Sequence, residues 1–341
     1  MVTNSLADPR FSALWRDATV FRLPLKTRFR GIKFREGVLF KGSHGWGEFA
    51  PFHDHDDAHA SRWLKSAIEM AYSRPTSLDV NCVRVNSIVP DCDAEEAITW
   101  ALAGGCEVAK VKVSGAGLSR RQDLDRLWAV SKAMGVGAKL RVDLNGALTY
   151  DQAVEFVNDC QGLPIDYFEQ PCSSAEECGA LRGATGVRIA LDESIRLNDH
   201  EANEVAESVQ RNADVAVLKP IPLGGAASTK RIGEKLDMPC VISSSLDTSI
   251  GLAYVARVAA AMAPAGTHGL GTAALFEFDV TRHALVPHQG EIHIGALEPD
   301  SANLDRATEG TKGAIETKWH DRMARCWELL GNDPVLDLIS T

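Results

Sequence analysis

The sequence predicts an α/β protein, a modified (β/α)7β TIM-like barrel with an α+β capping domain built from the N-terminal segment and the C-terminal tail. Three observations predict it. Between about residue 80 and residue 270, short β-branched runs alternate with helical segments at a spacing of roughly 22–30 residues, which is what parallel strands with right-handed helical crossovers require. An alternating, turn-punctuated stretch precedes that region, and a polar loop with an amphipathic helix follows it. Charged residues recur at the ends of successive predicted strands.

The 341 residues are 45% hydrophobic and 24% charged, with 36 Lys and Arg against 46 Asp and Glu for a net charge of −10. This composition is that of a globular chain, longer than one compact core, and it argues against a disordered, collagenous or coiled-coil protein. No nucleic-acid partner is expected, because phosphate contacts need clustered cations and the densest basic run (Lys26, Arg28, Arg30) is interrupted by Thr27 and Phe29. The eight cysteines are scattered without a Cys-x-x-Cys pair, as reduced thiols of a cytoplasmic protein would be, and offer no zinc site. Neither a secretory leader nor a membrane partner is expected. Asp8 and Arg10 interrupt the N-terminus, and the uncharged stretch 258–276 is broken by Pro264, Gly266, Gly269 and Gly271. The choice between monomer and homo-oligomer stays open.

Residues 18–25 and 31–41 alternate as strands, and Gly45-Trp46-Gly47-Glu48-Phe49-Ala50-Pro51 completes an antiparallel meander after the turn residues Gly42 and Ser43. Over 56–73, Ala60, Trp63, Leu64, Ala67, Ile68 and Ala71 recur at helical spacing, and Arg74-Pro75 ends the helix. These elements form the capping domain, 1–80. The barrel domain, 81–300, takes strands at 83–88, 108–113, 138–144, 167–169, 188–191, 215–219, 240–243 and 269–271. Its helices fall at 93–103, 121–134, 150–159, 173–181, 199–209, 225–236 and 250–262. A doubly wound open sheet would alternate similarly. However, the first strand lacks a Gly-x-Gly-x-x-Gly turn, and Leu223-Gly224-Gly225 lacks the Rossmann pattern and its ribose-binding acid. Residues 301–341, with an amphipathic helix at 318–330, return to pack on the capping domain.

Five consecutive strand ends read Lys110-Val111-Lys112, Arg141-Val142-Asp143, Phe168-Glu169-Gln170, Leu191-Asp192-Glu193 and Leu218-Lys219-Pro220. Strand side chains alternate between barrel interior and helix layer, so Lys110 and Lys112 share one direction, as do Arg141 and Asp143. A buried strand end is a costly place for a charge, and carboxylates flanked by ammonium groups point to a divalent-cation site. Asp143, Glu169 and Asp192, from three adjacent strands, supply oxygen ligands suited to Mg²⁺, with Mn²⁺ as substitute. Lys112 and Lys219 face each other across that ring as an acid/base pair.

On these residues the chain resembles the enolase superfamily in its muconate-lactonizing subgroup. Lys110-Val111-Lys112 matches the family's Lys-x-Lys, whose second lysine is catalytic, and Asp143, Glu169 and Asp192 match its metal ligands. Lys219 matches the lysine across the site. Three further stretches carry the likeness. These are Phe29-Arg30-Gly31-Ile32 with Arg35-Glu36-Gly37, then 45–52, and Ser243-Ser244-Ser245-Leu246-Asp247-Thr248-Ser249-Ile250-Gly251-Leu252. The resemblance implies a small-molecule carboxylate substrate bound to Mg²⁺. The implied reaction is loss of water from 2-succinyl-6-hydroxy-2,4-cyclohexadiene-1-carboxylate to give o-succinylbenzoate, a step of menaquinone biosynthesis. Lys112 would remove the α-proton and Lys219 would stabilise the enediolate. Epimerases and racemases for dipeptides or N-acylamino acids use the same residues, with both lysines as bases. A non-catalytic ligand-binding barrel and a Schiff-base aldolase are the readings from other classes.

Lys110, Asn145, Ser243 and Ser244 are assigned to substrate binding. Asn145 either orients a ligand or serves as a turn residue before Gly146, and the serines either meet a substrate carboxylate or cap the next helix. Arg141 either bridges metal ligands or is a satisfied core charge. Asp247, where many relatives carry Glu, has an open role. Trp46, Phe49 and Phe52 either cover the barrel mouth or pack in the cap, and 26–30 is placed as a mobile flap.

Overall fold

A computed structural model describes residues 8–113, 119–197 and 202–339. The capping domain opens with helix α1 (Pro9–Arg16) and the meander β1 (Thr19–Phe29), β2 (Ile32–Lys41) and β3 (Trp46–Phe49), followed by α2 (Asp57–Tyr72). Arg30 and Gly31, both with positive φ, make the two-residue turn between β1 and β2, a geometry whose twist matches that of the strands it joins. Asp56 caps α2 by accepting from His59 N.

The barrel follows as β4 (Cys82–Val85), β5 (Ser87–Val89), α3 (Ala94–Leu102), β6 (Val108–Lys112), α4 (Arg120–Met134), β7 (Lys139–Asp143), α5 (Tyr150–Asp159) and β8 (Ile165–Glu169). It continues with α6 (Ala175–Thr185), β9 (Ile189–Leu191), α7 (Glu193–Arg196), α8 (Ala202–Asn212), β10 (Val215–Leu218), α9 (Ala226–Leu236), β11 (Cys240–Ile242), α10 (Ser249–Met262) and β12 (Thr267–His268). Seven strands pair in parallel in the order β5 to β11. β12 pairs parallel with β4, and a bridge from Ser243 to Gly269 closes the ring. β12 therefore ends before the predicted eighth strand at 269–271, and Gly271–Leu275 coils into a 3₁₀ turn. The capping-domain strands reach this turn: Glu277 N donates to Pro24 O, and Lys26 Nζ to Ala274 O at 2.8 Å, so the base of the predicted flap is tied to the barrel.

The start of the helix predicted at 199–209 lies partly outside the described residues. The short β13 (Glu291–His293), antiparallel to β4, and α11 (Ser301–Thr308) carry too little apolar periodicity to be read from sequence. α12 (Ala314–Leu330) begins four residues before its predicted start and packs on the cap, where Arg322 donates to Phe52 O and His55 O, and Arg325 pairs with Asp57. No helix among the described residues is long and apolar enough to cross a membrane.

Candidate active site

The register places the predicted charges side by side. Lys112 lies opposite Asp143, and Asp143 opposite Glu169, along three adjacent parallel strands. Alternation turns Val111 and Val142 into the helix layer, where both are fully buried, and turns the charged neighbours inward. β9 ends at Leu191, so Asp192 begins the next turn, and Lys219 follows β10 directly.

Inside this mouth the charges interlock. Lys110 Nζ lies 2.6 Å from Glu169 Oε1 and 2.9 Å from Asp143 Oδ2, and Lys112 Nζ is 2.7 Å from the same Asp143 oxygen. Across the mouth, Lys219 Nζ is 2.6 Å from Asp192 Oδ2, and Arg196 Nε is 3.0 Å from Asp192 Oδ1. Burial alone would raise the carboxyls of Asp143 and Asp192, but the adjoining cations outweigh it and hold both well below the usual carboxylate range. Glu169 goes the other way. Burial, with Asp143 beside it, pushes Glu169 up to about 7. For Lys110, burial is outweighed by Asp143 and Glu169, which raise it, whereas burial lowers Lys219.

Among the described residues, no three acidic, histidine or cysteine side chains stand close enough to hold a metal ion; Lys110 bridges Asp143 and Glu169, while Lys219 and Arg196 hold Asp192. The donor set nonetheless fits a hard cation. Its carboxylates come from neighbouring strands, and Glu169 Oε2 is buried with no hydrogen-bond partner, an arrangement whose desolvation a cation would offset.

Asn145 does two of the things its sequence position allows. It adopts φ 48° ahead of Gly146 at 73°, and its side chain accepts from Lys112 Nζ while donating to Glu193 Oε1 at 3.1 Å. Ser243 and Ser244 line the pocket and bond to Gly269 O, and Ser244 Oγ is also 2.7 Å from Thr272 Oγ1. They do not cap α10, whose cap is Thr248. Arg141 is a satisfied core charge. It donates to Asn86 Oδ1, Thr267 O and Asp166 Oδ2 and lies over the Tyr167 ring, away from the metal-type carboxylates. Asp247 accepts from Ser245 N. Of the three aromatics, Phe52 lines the pocket with Phe29 and Arg30, Phe49 is core against Trp319, and Trp46 bonds to Glu298.

Sequence reasoning missed Arg196 and the role of Gln170. Arg196 sits four residues after Asp192 within one helical turn, a spacing that signals such a pair. Gln170, fully buried with φ 41°, accepts from the backbone N–H of Asp192 and Ser194 and so carries the Asp192 turn on the Glu169 strand.

Comparison with known proteins agrees with this architecture. Residues 20–71 match the family model described as enolase N-terminal domain-like, and 93–300 match the enolase C-terminal domain-like model. An o-succinylbenzoate synthase of Thermobifida fusca is 36% identical over 322 residues, 92% of this chain and 98% of that protein. One of Mycobacterium leprae is 37% identical over 326 residues, 94% and 95% of the two chains. Among solved structures, muconate lactonizing enzyme from Pseudomonas fluorescens aligns with a TM-score of 0.71 at 20% identity, covering 85% of this chain and 97% of that one. The L-Ala-D/L-Glu epimerase of Bacillus subtilis aligns at 0.69 and 20%, covering 83% and 96%. At such identities these two support the fold alone. The chain belongs to the enolase superfamily and, within it, to the family of the o-succinylbenzoate synthases.

Proposed function

We propose that this chain dehydrates 2-succinyl-6-hydroxy-2,4-cyclohexadiene-1-carboxylate to o-succinylbenzoate, with Lys112 as the base and Asp143, Glu169 and Asp192 as ligands of Mg²⁺. The observation that carries the reading is the placement of Lys112 and Lys219 on opposite sides of three buried strand-end carboxylates, in a chain whose full-length relatives bear that activity's name. Members of the superfamily generally work with Mg²⁺, and Mn²⁺ is the expected substitute. The cation, when bound, offsets the charge that develops on the substrate carboxylate as its α-proton leaves.

The rest is work for side chains. Lys112 Nζ, held between Asp143 and Asn145, takes the α-proton as a neutral amine. It then returns a proton to the departing hydroxyl on the same face, so water leaves and the ring becomes aromatic. Lys219 stays protonated and faces the enediolate as an electrostatic partner, since aromatisation needs no second base. Lys110 neutralises Asp143 and Glu169 from below, and Ser243 and Ser244 offer hydroxyls to the substrate's second carboxylate. We place the capping domain at 1–80, the barrel at 81–300 and the returning tail at 301–341, in a cytoplasmic enzyme.

The test is ultraviolet monitoring of the protein with this cyclohexadiene carboxylate and Mg²⁺, alongside Lys112→Ala and an EDTA control. Metal-dependent aromatisation by the wild type and none by the variant is the expected result. An unchanged spectrum with α-proton exchange into N-succinyl amino acids would replace the reading by a racemase or epimerase.

A further inference from the structure

A second concentration of buried charge lies where the cap meets the barrel, and the reaction above does not use it. Arg35 on β2 is 2% exposed, Glu48 on β3 and Asp247 in the β11–α10 turn are each 1% exposed. Arg35 spends its donors on carbonyls of both domains. Its Nε donates to Leu246 O at 2.9 Å, and its Nη2 to Ser245 O at 3.4 Å and to Ala50 O. Glu48 accepts from Thr248 N at 3.0 Å, Thr248 Oγ1 at 2.6 Å and Gly251 N at 3.0 Å. A Cβ on Gly251 would come within 2.8 Å of Glu48 Oε2, so this approach requires glycine there. From the barrel side, Asp247 Oδ2 accepts from Ser245 N at 2.9 Å.

The turn so clamped is strained and faces the pocket. Leu246 has φ 61°, a conformation an L side chain adopts only where its surroundings over-determine it, and Ser245 and Leu246 both line the pocket. The Arg35 guanidinium also lies 4.3 Å from the ring centroid of Phe52, another lining residue, and Arg30 lies at the same distance from that ring. One buried cation of the cap thus touches both walls, Leu246 through its carbonyl and Phe52 through its ring.

We propose that Arg35 is a positioning residue for substrate recognition: it holds Leu246 and Phe52 as the apolar walls against which the substrate ring is seated. Glu48 and Asp247 brace the same turn, which gives Asp247 its role. The proposal rests on the dehydration reading for its substrate. A planar fork is needed to reach three carbonyls from one side chain, and an ammonium cannot reproduce it.

Arg35→Lys, which keeps the charge and removes the fork, separates this role from a purely structural one. The expected result is a KM for the cyclohexadiene carboxylate raised about tenfold with kcat within about threefold of wild type, and o-succinylbenzoate bound about tenfold more weakly in calorimetry. A variant that is only less resistant to urea, with KM and product affinity of the folded molecule unchanged, would overturn the proposal. Amide hydrogen exchange adds a readout that needs no substrate. Protection across 245–251 should fall at least tenfold in Arg35→Lys while that of β6 to β8 is kept, and a uniform loss would count against positioning. Should Arg35→Lys not fold, Leu246→Gly relieves the strain while removing the wall; it should stay folded with raised KM, and an unchanged KM would overturn the proposal. Absence of turnover by the wild type would sink the dehydration reading instead, leaving the exchange result to judge the role of Arg35.

Discussion

Arg141 and Asp143 stand two residues apart on β7, both buried and both pointing into the barrel, yet they belong to different kinds of charged layer. Arg141 has donors on Asn86, Thr267 and Asp166 and its guanidinium over Tyr167, with every partner fixed by the closed ring of strands. Asp143, one layer nearer the mouth, shares a single oxygen between Lys110 and Lys112, beside a Glu169 oxygen that bonds to nothing. The difference teaches where chemistry is stored. A buried charge whose bonds are all made is scaffold, and one left with spare lone pairs beside its cations is a site with room for a further partner.

The largest effect is expected at Lys112, the proposed base. Lys112→Ala should lower turnover by about a thousandfold or more, in the upper range for a general acid–base group, with the fold and metal binding retained. Turnover within tenfold of wild type would remove Lys112 from its role. The mirror experiment in the other layer is Arg141→Met, which leaves Asp166 and Asn86 facing an apolar side chain. It should cost about 3–5 kcal/mol in urea unfolding, the usual penalty for breaking a buried pair, while kcat per folded molecule stays near wild type.

A third test uses pH on the scaffold side. His268 is fully buried, with Nδ1 accepting from Ile242 N and Nε2 donating to Ala263 O, which requires the neutral ring. Burial accordingly lowers it from 6.5 to about 4. Its stabilising contribution is therefore present above the unfolded value and lost as pH falls from about 6.5 through 4. The loss amounts to about 3 kcal/mol at most, from 1.36 kcal/mol per pKa unit. Over that window the urea midpoint of the wild type should drop relative to that of His268→Gln; identical slopes would refute the assignment. The smallest effect is expected at Asn145→Ala, which frees Lys112 without removing it and should lower kcat about tenfold with KM little changed.

Much of the site was legible because of a short-range rule. Period-two alternation on strands whose ends carry Lys, Asp, Glu, Asp and Lys is enough to aim those side chains at one mouth, and the register aligns Lys112, Asp143 and Glu169 as that rule requires. The displaced eighth strand shows the rule's limit. Gly269, Gly271 and their neighbours have no side-chain pattern to read, and pairing with Arg84 and Val85 decided where the strand lies.

By itself, then, the sequence determined the barrel, the cap and the direction of each strand-end charge, since these follow from spacing within a few residues. Tertiary structure alone decided which ammonium meets which carboxylate, that Arg141 is scaffold, and that Arg35 grips Leu246 from 211 residues away. Such contacts exist only once the ring has closed and the cap has docked, and no local periodicity carries information across that distance.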